Sequence, residues 1–157
     1  MTPELTRWRI AEPEDARIIA RQRACMFLEM ARITEDGVPE LLNASTSCLQ
    51  QALTDGTYRG WLAESASGEV VAGTGVLLRP LLPRPDALRG PEAVVLNVYV
   101  EPAYRRRGLA RTLMVALLDW CRQERIPRIV LHPSSAGQPL YESLGFTPTG
   151  EMVYRGK

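Results

Sequence analysis

Three consecutive arginines, Arg105 to Arg107, precede Gly108 at the predicted start of a helix. The N-terminus of a helix carries about half a positive charge and unpaired N–H groups, so cations there oppose the helix dipole. A bound phosphate would reverse this unfavourable interaction, and a glycine lets the backbone approach such a ligand closely. The pattern therefore indicates an anion-binding loop. Ordinary solvated charges and a nucleic-acid contact are the alternatives.

The sequence on either side of the arginines predicts a strand, a helix and a second strand. "VVLNVYV" (94–100) is rich in β-branched residues, and Pro102 ends this strand because proline cannot donate to a sheet ladder. From Gly108 to Cys121, apolar residues recur at helical spacing, and "RIVLHP" (128–133) predicts another buried strand. This order predicts a parallel βαβ unit, which places the arginine loop where phosphates bind in α/β sheets.

The first half of the chain predicts two helices and three strands. A strand in "TRWRI" leads to a long helix that starts near Pro13, and a second helix runs from about Pro39 to Gly56. "YRGWLAES" and "VVAGTGVLL" then predict a hairpin. The prolines that follow, within 79–92, predict a loop.

The last part of the chain predicts a short helix in "GQPLYESL", stopped by Gly145, and two short terminal strands in "FTPTGEMVYR" (146–155). Taken together, the elements predict an α/β (α+β) fold over a single domain, 1–157. We expect a mixed, mostly antiparallel sheet of six or seven strands flanked by about four helices.

Composition narrows the class of protein. The chain has 157 residues, of which 45% are hydrophobic and 24% charged, with a net charge of +1, so no overall field draws it to nucleic acid or membrane. No apolar run approaches the roughly 20 residues that span a bilayer, and "MTPELTRWRI" lacks a signal-peptide core, which favours the cytoplasm. The three widely spaced cysteines predict reduced core thiols rather than a disulfide frame or a metal site.

Two motifs together resemble the GNAT superfamily of acetyl-CoA-dependent N-acetyltransferases. Arg105-x-x-Gly108-x-Ala110 after "NVYVEP" is similar to the loop in which these proteins hold the pyrophosphate of acetyl-CoA. Farther along, "LHPSSAGQPLYESLGF" is similar to their later motif, in which a strand leads to a small-residue helix with a tyrosine, followed by Gly-Phe. Each motif alone is weakly specific, whereas both at this spacing are specific.

The resemblance implies an acetyl-CoA site along the strand and the arginine loop. Main-chain groups of 98–100 would pair with the pantetheine arm, and N–H groups of 106–111 would hold the pyrophosphate. In the superfamily a β-bulge splays this strand from the next one and opens a slot for the thioester. The implied cofactor residues are Val98, Tyr99, Val100, Arg105, Arg106, Arg107, Gly108, Leu109, Ala110, Arg111, Thr112, Ser134 and Tyr141. Ser134 stands where many members have an asparagine.

Tyr141 matches the tyrosine that protonates, or donates a hydrogen bond to, the departing CoA sulfur. A CoA thiol should resemble cysteine, with a pKa near 8.5, and a tyrosine with a pKa near 10 can donate to it without being ionised at pH 7. The alternative is a half-buried helix aromatic that packs on the sheet.

The amine that accepts the acetyl group calls for a general base. An alkyl amine with a pKa of about 10.4 is neutral only about once in 10³ molecules at pH 7. Glu29, late in the first helix, and Glu101, just after the cofactor strand, are the candidate bases. The alternatives are that Glu29 is a solvated helix residue and that Glu101 is a turn residue. His132 beside the slot either relays a proton or is structural.

The implied activity is direct transfer of an acetyl group to a primary amine of a small molecule or peptide. Loops 30–42 and 79–92 are the candidate acceptor loops, and they lack the acidic runs that a polycationic acceptor would favour. We place the side chains of Asn97 and Tyr99 on opposite faces of the strand, so that only one of them lines the pocket, and we expect this residue to be Tyr99. We expect no nucleic-acid or membrane partner and leave a homodimer open. The alternative function is a non-catalytic acyl-CoA sensor of the same fold.

Overall fold

One five-stranded sheet lies at the centre of the computed structural model, which describes residues 5–156. The strands follow one another in chain order across the sheet: Leu5–Ile10 (β1), Tyr58–Ser65 (β2), Val70–Arg79 (β3), Glu92–Val100 (β4) and Arg128–Val130 (β5). All neighbours are antiparallel except β4 and β5, which pair in parallel. The predicted mixed sheet and its parallel βαβ pair are therefore confirmed.

Within the described residues, four α-helices flank the sheet, as predicted: Ala16–Glu29 (α1), Val38–Asp55 (α2), Leu109–Gln123 (α3) and Gln138–Ser143 (α4). Pro13 begins a short 3₁₀ turn that leads into α1, and Pro39 lies in the first turn of α2, where a missing N–H costs nothing. Gly56 ends α2 with a φ of 82°, the left-handed conformation that glycine adopts without strain. No described helix is long and apolar enough to cross a bilayer.

The helices form one layer on each face of the sheet. On one face α3 buries Leu113, Met114 and Leu117 against β2, β3 and β4. On the other face α1 and α2 bury apolar side chains against β2. Trp61 and Leu62 show the division, because successive residues of β2 point to opposite faces and are buried in different clusters. These two layers hold the loops at the carboxyl end of β4 in place.

The strands β4 and β5 diverge after a short stretch of pairing. They pair only through 92–94 and 128–130, whereas β4 continues to Val100. On its other side, β4 contains a bulge: its register with β3 moves from Leu96 opposite Gly75 to Tyr99 opposite Gly73. Asn97 in this bulge has a φ of 60°. The bulge that the family resemblance implies is present, and a gap opens between β4 and β5.

Two predictions about the fold are wrong. The described residues after α4, 144–156, form no strand, and Met152 and Tyr154 are 97% and 94% exposed, so the sheet has five strands and not six or seven. The β-branched and aromatic residues in 146–155 indicate strand propensity, but a strand also needs a neighbouring edge to pair with. The three cysteines are free, yet only Cys121 is buried in the core; Cys25 is half-buried and Cys48 exposed.

Residues 1–4 and 157, which the predicted single domain includes, lie outside the described residues.

Candidate functional site

A cleft of about 900 Å³ opens where β4 and β5 diverge. One side is β4 from Val95 to Val100, and the others are the end of α1, the arginine loop with the first turn of α3, and the segment from Leu131 to Tyr141. The fold therefore brings the arginine loop and Tyr141, which are far apart in the sequence, to the same cavity.

Backbone conformation in the arginine loop suits the binding of an anion. Arg106 and Gly108 have φ values of 64° and 77°. Left-handed residues alternating with right-handed or extended ones turn neighbouring N–H groups toward a common point, which makes an anion-binding concavity. A Cβ added at Gly108 would meet no atom within 4 Å, so the backbone here is open to a ligand. The loop and the first turn of α3 thus offer N–H donors to a phosphate.

The cleft contains most of the predicted cofactor residues. Lining residues are Val98, Tyr99, Val100, Arg105, Arg106, Gly108, Leu109, Ala110, Arg111, Ser134 and Tyr141. Arg107 and Thr112 lie outside the lining: the Arg107 guanidinium stacks on the Tyr104 ring at 5.3 Å, and the Thr112 hydroxyl donates to the Gly108 carbonyl at 3.0 Å. Their assignment to the cofactor stays a prediction.

Arg105 connects three elements of the cleft. Its Nε donates to the Val100 carbonyl at 2.8 Å, its Nη2 donates to Glu29 Oε1 at 2.6 Å, and its guanidinium lies 5.6 Å from the centre of the Tyr99 ring. The side chain therefore ties the loop to β4 and α1, and its charge is balanced by Glu29.

The two candidate bases lie in different environments. Glu29 lines the cleft, next to Arg105. Glu101 lies outside the lining and forms an ion pair with Arg21 at 2.5 Å. Glu29 is thus the carboxylate that can reach a substrate in this cavity, and a role of Glu101 as base stays a prediction.

Tyr141 lines the cleft from α4. Its ring packs edge-on against Phe146, with centroids 6.1 Å apart. A Cβ at Gly137 would come within 3.0 Å of the Tyr141 ring, so the glycine gives the ring room, while the Ser134 hydroxyl accepts from the Gly137 N–H at 3.2 Å. Burial raises the pKa of Tyr141 above its ordinary value, which keeps its hydroxyl a proton donor at neutral pH.

The bulge in β4 holds a buried polar side chain. Asn97 is 4% exposed; its Oδ1 accepts from Arg23 at 2.8 Å and its Nδ2 donates to the Tyr58 hydroxyl at 3.0 Å. A Cβ at Gly75 would overlap the Tyr58 hydroxyl, so glycine is needed on β3 for this contact. Asparagine tolerates a positive φ better than most residues, which suits it to the bulge.

Sequence comparison identifies the fold family. The sequence model of the acetyltransferase (GNAT) family matches residues 18–146. The chain belongs to the GNAT family.

A GNAT protein of known crystal structure resembles the chain over nearly its whole length. It is a GCN5-related N-acetyltransferase from Ralstonia eutropha JMP134, 31% identical, with a TM-score of 0.87, and the match covers 95% of this chain and 97% of that one. A Clostridium acetobutylicum protein, solved as a "predicted acetyltransferase with acetyl-CoA", is 22% identical with a TM-score of 0.82 over 96% and 95% of the two chains, and it shows the shared fold.

Curated relatives match over shorter stretches. Glucosamine 6-phosphate N-acetyltransferase of Trypanosoma brucei brucei is 30% identical over 82 residues, which are 51% of this GNAT chain and 52% of the relative. The chain spans about half the length of the curated relatives it matches first.

Two expectations about the acceptor side of this GNAT cleft are corrected by the structure. Tyr99 and Asn97 both line the cleft, because residues two apart on a strand share a face and both side chains point toward α1. No residue of loop 79–92 lines it, because that loop leads into the amino end of β4 and the cleft is at the carboxyl end. From loop 30–42, Met30 and Arg32 do line it.

His132 also lines the GNAT cleft, and its Nε2 contacts the Glu151 carboxylate. Its side chain is 65% exposed. It lies at the border of the cavity, and a relay role stays a prediction.

The most informative residue that sequence reasoning missed is Arg23. It lines the GNAT cleft from α1 and contacts the bulge of β4 through Asn97. The signal available was its spacing: Arg23 and Phe27 are four residues apart and therefore share a helix face. An arginine beside an aromatic residue on a helix that also has an apolar stripe could have been considered for a pocket.

Proposed function

We propose that this chain is an N-acetyltransferase that moves the acetyl group of acetyl-CoA directly to a primary amine of a small molecule or peptide. One observation carries the proposal: the open, left-handed backbone at Arg106 and Gly108 and the protonated hydroxyl of Tyr141 belong to one cleft. Family membership supports it, as does the Clostridium acetobutylicum relative, which was solved with acetyl-CoA. We also propose that residues 1–157 form a single domain of this kind.

The described residues fit acetyl-CoA at both ends of its chain-like structure. The pyrophosphate needs N–H donors and an accessible backbone, which the arginine loop and the first turn of α3 provide. The pantetheine arm carries amides, and the edge of β4 that faces β5 is unpaired in the described structure beyond Val94. Main-chain groups of Val98 and the N–H of Val100 are therefore available for those amides, while the Val100 carbonyl accepts from Arg105.

The chemistry divides between the two sides of the cleft. When bound, acetyl-CoA supplies an activated thioester whose carbonyl carbon the neutral amine attacks, so that a C–N bond forms and the C–S bond breaks. Removing a proton from an alkyl amine at pH 7 costs about 4 kcal/mol. In the proposed reaction Glu29, which lines the cleft, accepts this proton directly or through water, and Tyr141 donates a proton or a hydrogen bond to the departing sulfur.

Tyr99 lines the same cleft and is a donor rather than a base. Burial, together with the nearby carboxylates Glu101 and Glu29, raises the pKa of Tyr99 to about 12. It therefore stays protonated while the amine is deprotonated. We assign it to the wall that positions the thioester and the amine.

Two measurements test the proposed function. Calorimetry should show saturable binding of acetyl-CoA, and a panel of primary amines should then release CoA thiol in proportion to acetylated product. Because Cys48 is exposed and would react with a thiol reagent, product is also quantified by mass spectrometry. Binding without acetylation of any amine would support the acyl-CoA sensor instead, and absence of binding would refute the cofactor site.

The predicted cytoplasmic location and a homodimer stay predictions.

A further inference from the structure

Arg23 holds a positive charge at the cleft without a negative partner. Among the described residues it forms one side-chain hydrogen bond, to the neutral Asn97, and no ion pair, and it is half-buried. Burial lowers the pKa of Arg23, which reflects the cost of keeping this charge away from water. By contrast, two other charged residues of the same helix are matched: Arg21 pairs with Glu101, and Glu29 pairs with Arg105.

A guanidinium has five N–H donors in a planar fork, and Asn97 receives a bond from only one of its terminal nitrogens. The Asn97 amide cannot turn away easily, because its other end donates to the buried Tyr58 hydroxyl. Arg23 is therefore held in a fixed position with unused donors beside the cleft. Planar forks of this kind match carboxylate and phosphate oxygens, often through two parallel hydrogen bonds.

A second unpaired arginine lies close to the first. The guanidinium groups of Arg23 and Arg32 lie 4.8 and 5.5 Å from the centre of the Phe27 ring, and both arginines line the cleft. Arg32 also forms no ion pair with any residue in 5–156. Phe27 is thus a platform that keeps two cations in the same part of the cavity.

The charge balance of this end of the cleft is positive. Its charged lining residues are Arg23, Arg32, Arg105 and Glu29, and Glu29 is already matched by Arg105. Two positive charges remain on α1 and the residues just after it, and they are separate from the arginine loop before α3. A cationic acceptor with no negative group would meet repulsion here, whereas an acceptor that carries an anion would neutralise both.

We propose that the acceptor is a small primary amine that also carries an anionic group, a carboxylate or a phosphate, and that Arg23 and Arg32 bind this group. This inference rests on the proposed function, since it names the class of amine that the same cleft acetylates. Arg23 is then a specificity-determining residue: it contacts the substrate through the part of the molecule that does not react.

The test uses matched pairs of amines with the full chain and acetyl-CoA. The pairs are ω-amino acids of increasing chain length with their carboxamides, and ω-aminoalkyl phosphates with their parent alcohols. We expect kcat/KM to be at least tenfold higher for the anionic member of the preferred pair, since the uncharged member leaves Arg23 without its partner. Whether the carboxylate or the phosphate series is preferred identifies the anion.

Three variants test which arginine causes the preference for anionic amines. Arg23→Gln should remove most of it by raising KM with little change in kcat, because this contact is equal in the ground and transition states. Arg32→Gln should also reduce the preference for the anionic amine by raising KM. Arg32 is exposed, so this substitution does not put folding at risk. Arg17→Gln is the matched control, since Arg17 is exposed on the same helix and lies outside the cleft lining, and it should keep the full preference.

The outcomes separate this inference from the proposed function. Equal acetylation of anionic and neutral amines, or an unchanged preference in Arg23→Gln, would overturn the inference while the acetyltransferase stands. If acetyl-CoA binds and no amine is acetylated, the proposed function fails, and calorimetric titration of the same pairs into the CoA complex decides the inference. Equal affinities in that titration would overturn it, and tighter binding of the anionic member would support it.

Discussion

Replacing Gly108 by valine tests whether the backbone of the arginine loop approaches the cofactor. Gly108 has a φ of 77° and lines the cleft. Gly56, at the end of α2, has a φ of 82° and lies outside the cleft lining. A Cβ at either position would meet no protein atom within 4 Å. A side chain at either glycine is therefore strained by the same positive φ, but only Gly108 is at the proposed cofactor site.

The expected magnitudes follow from this match. An L-residue in the left-handed conformation costs about 1–2 kcal/mol, so both Gly108→Val and Gly56→Val should lower the melting temperature by about 2–8 °C in a domain of this size. Only Gly108→Val adds a side chain where the pyrophosphate must approach. Its Kd for acetyl-CoA should rise at least tenfold, which corresponds to about 1.4 kcal/mol, whereas Gly56→Val should bind as the parent does.

The assay is calorimetric titration of acetyl-CoA into both variants, after circular dichroism has shown that each is folded at the working temperature. An unchanged Kd in folded Gly108→Val would refute a cofactor loop at this position. An equal loss of affinity in Gly56→Val would show that the effect comes from general destabilisation.

Three further predictions concern proton transfer and stability. Tyr141→Phe keeps the ring packing and removes the donor, so kcat should fall by about 10²–10⁴ while the Kd for acetyl-CoA changes little; a variant with the parent rate would leave Tyr141 a packing residue. Glu29→Gln should lower kcat/KM far more than Glu101→Gln, although each breaks one ion pair with an arginine, and equal losses would contradict the assignment of the base. The hydrogen bonds from Arg9 lower the pKa of the buried Asp15, so this pair stabilises the fold above the unfolded-state value of about 3.9 and loses its effect as the pH falls through the folded-state pKa. Asp15→Asn should therefore melt lower than the parent at pH 7 and approach it in acid; a gap that stays constant with pH would contradict this.

Local sequence patterns predict the strands, helices and loop that form the site, because each of these elements depends mainly on the residues within it. The β-branched run before Pro102 forms β4, and the first residues after Gly108 begin α3. Since one helix joins two parallel strands, the position of the arginine loop at the end of β4 follows from chain order alone. Tyr141 reaches the same cleft because α4 follows β5, the strand beside β4.

Contacts between distant segments could not be predicted in this way. The flexible side chain of Arg105 can extend in many directions, and its pairing with Glu29 depends on how α1 packs on the sheet. The same holds for Arg23 and Asn97, which meet only because β4 is bulged. In residues 146–155 the β-branched and aromatic content predicts strands, but β5 pairs with β4 over three residues only. Strand propensity does not tell whether a sheet edge is available for pairing.

Direct transfer is the central claim, and a single-turnover experiment with isotope-labelled acetyl-CoA tests it most directly. The chain is mixed with labelled acetyl-CoA and the best amine found, quenched at successive times, and both the amine and the intact protein are weighed by mass spectrometry. Direct transfer predicts that the label appears on the amine nitrogen from the earliest times and never on the protein. Label that accumulates on the protein before it reaches the amine, or that ends as free acetate with no acetylated amine, would contradict it.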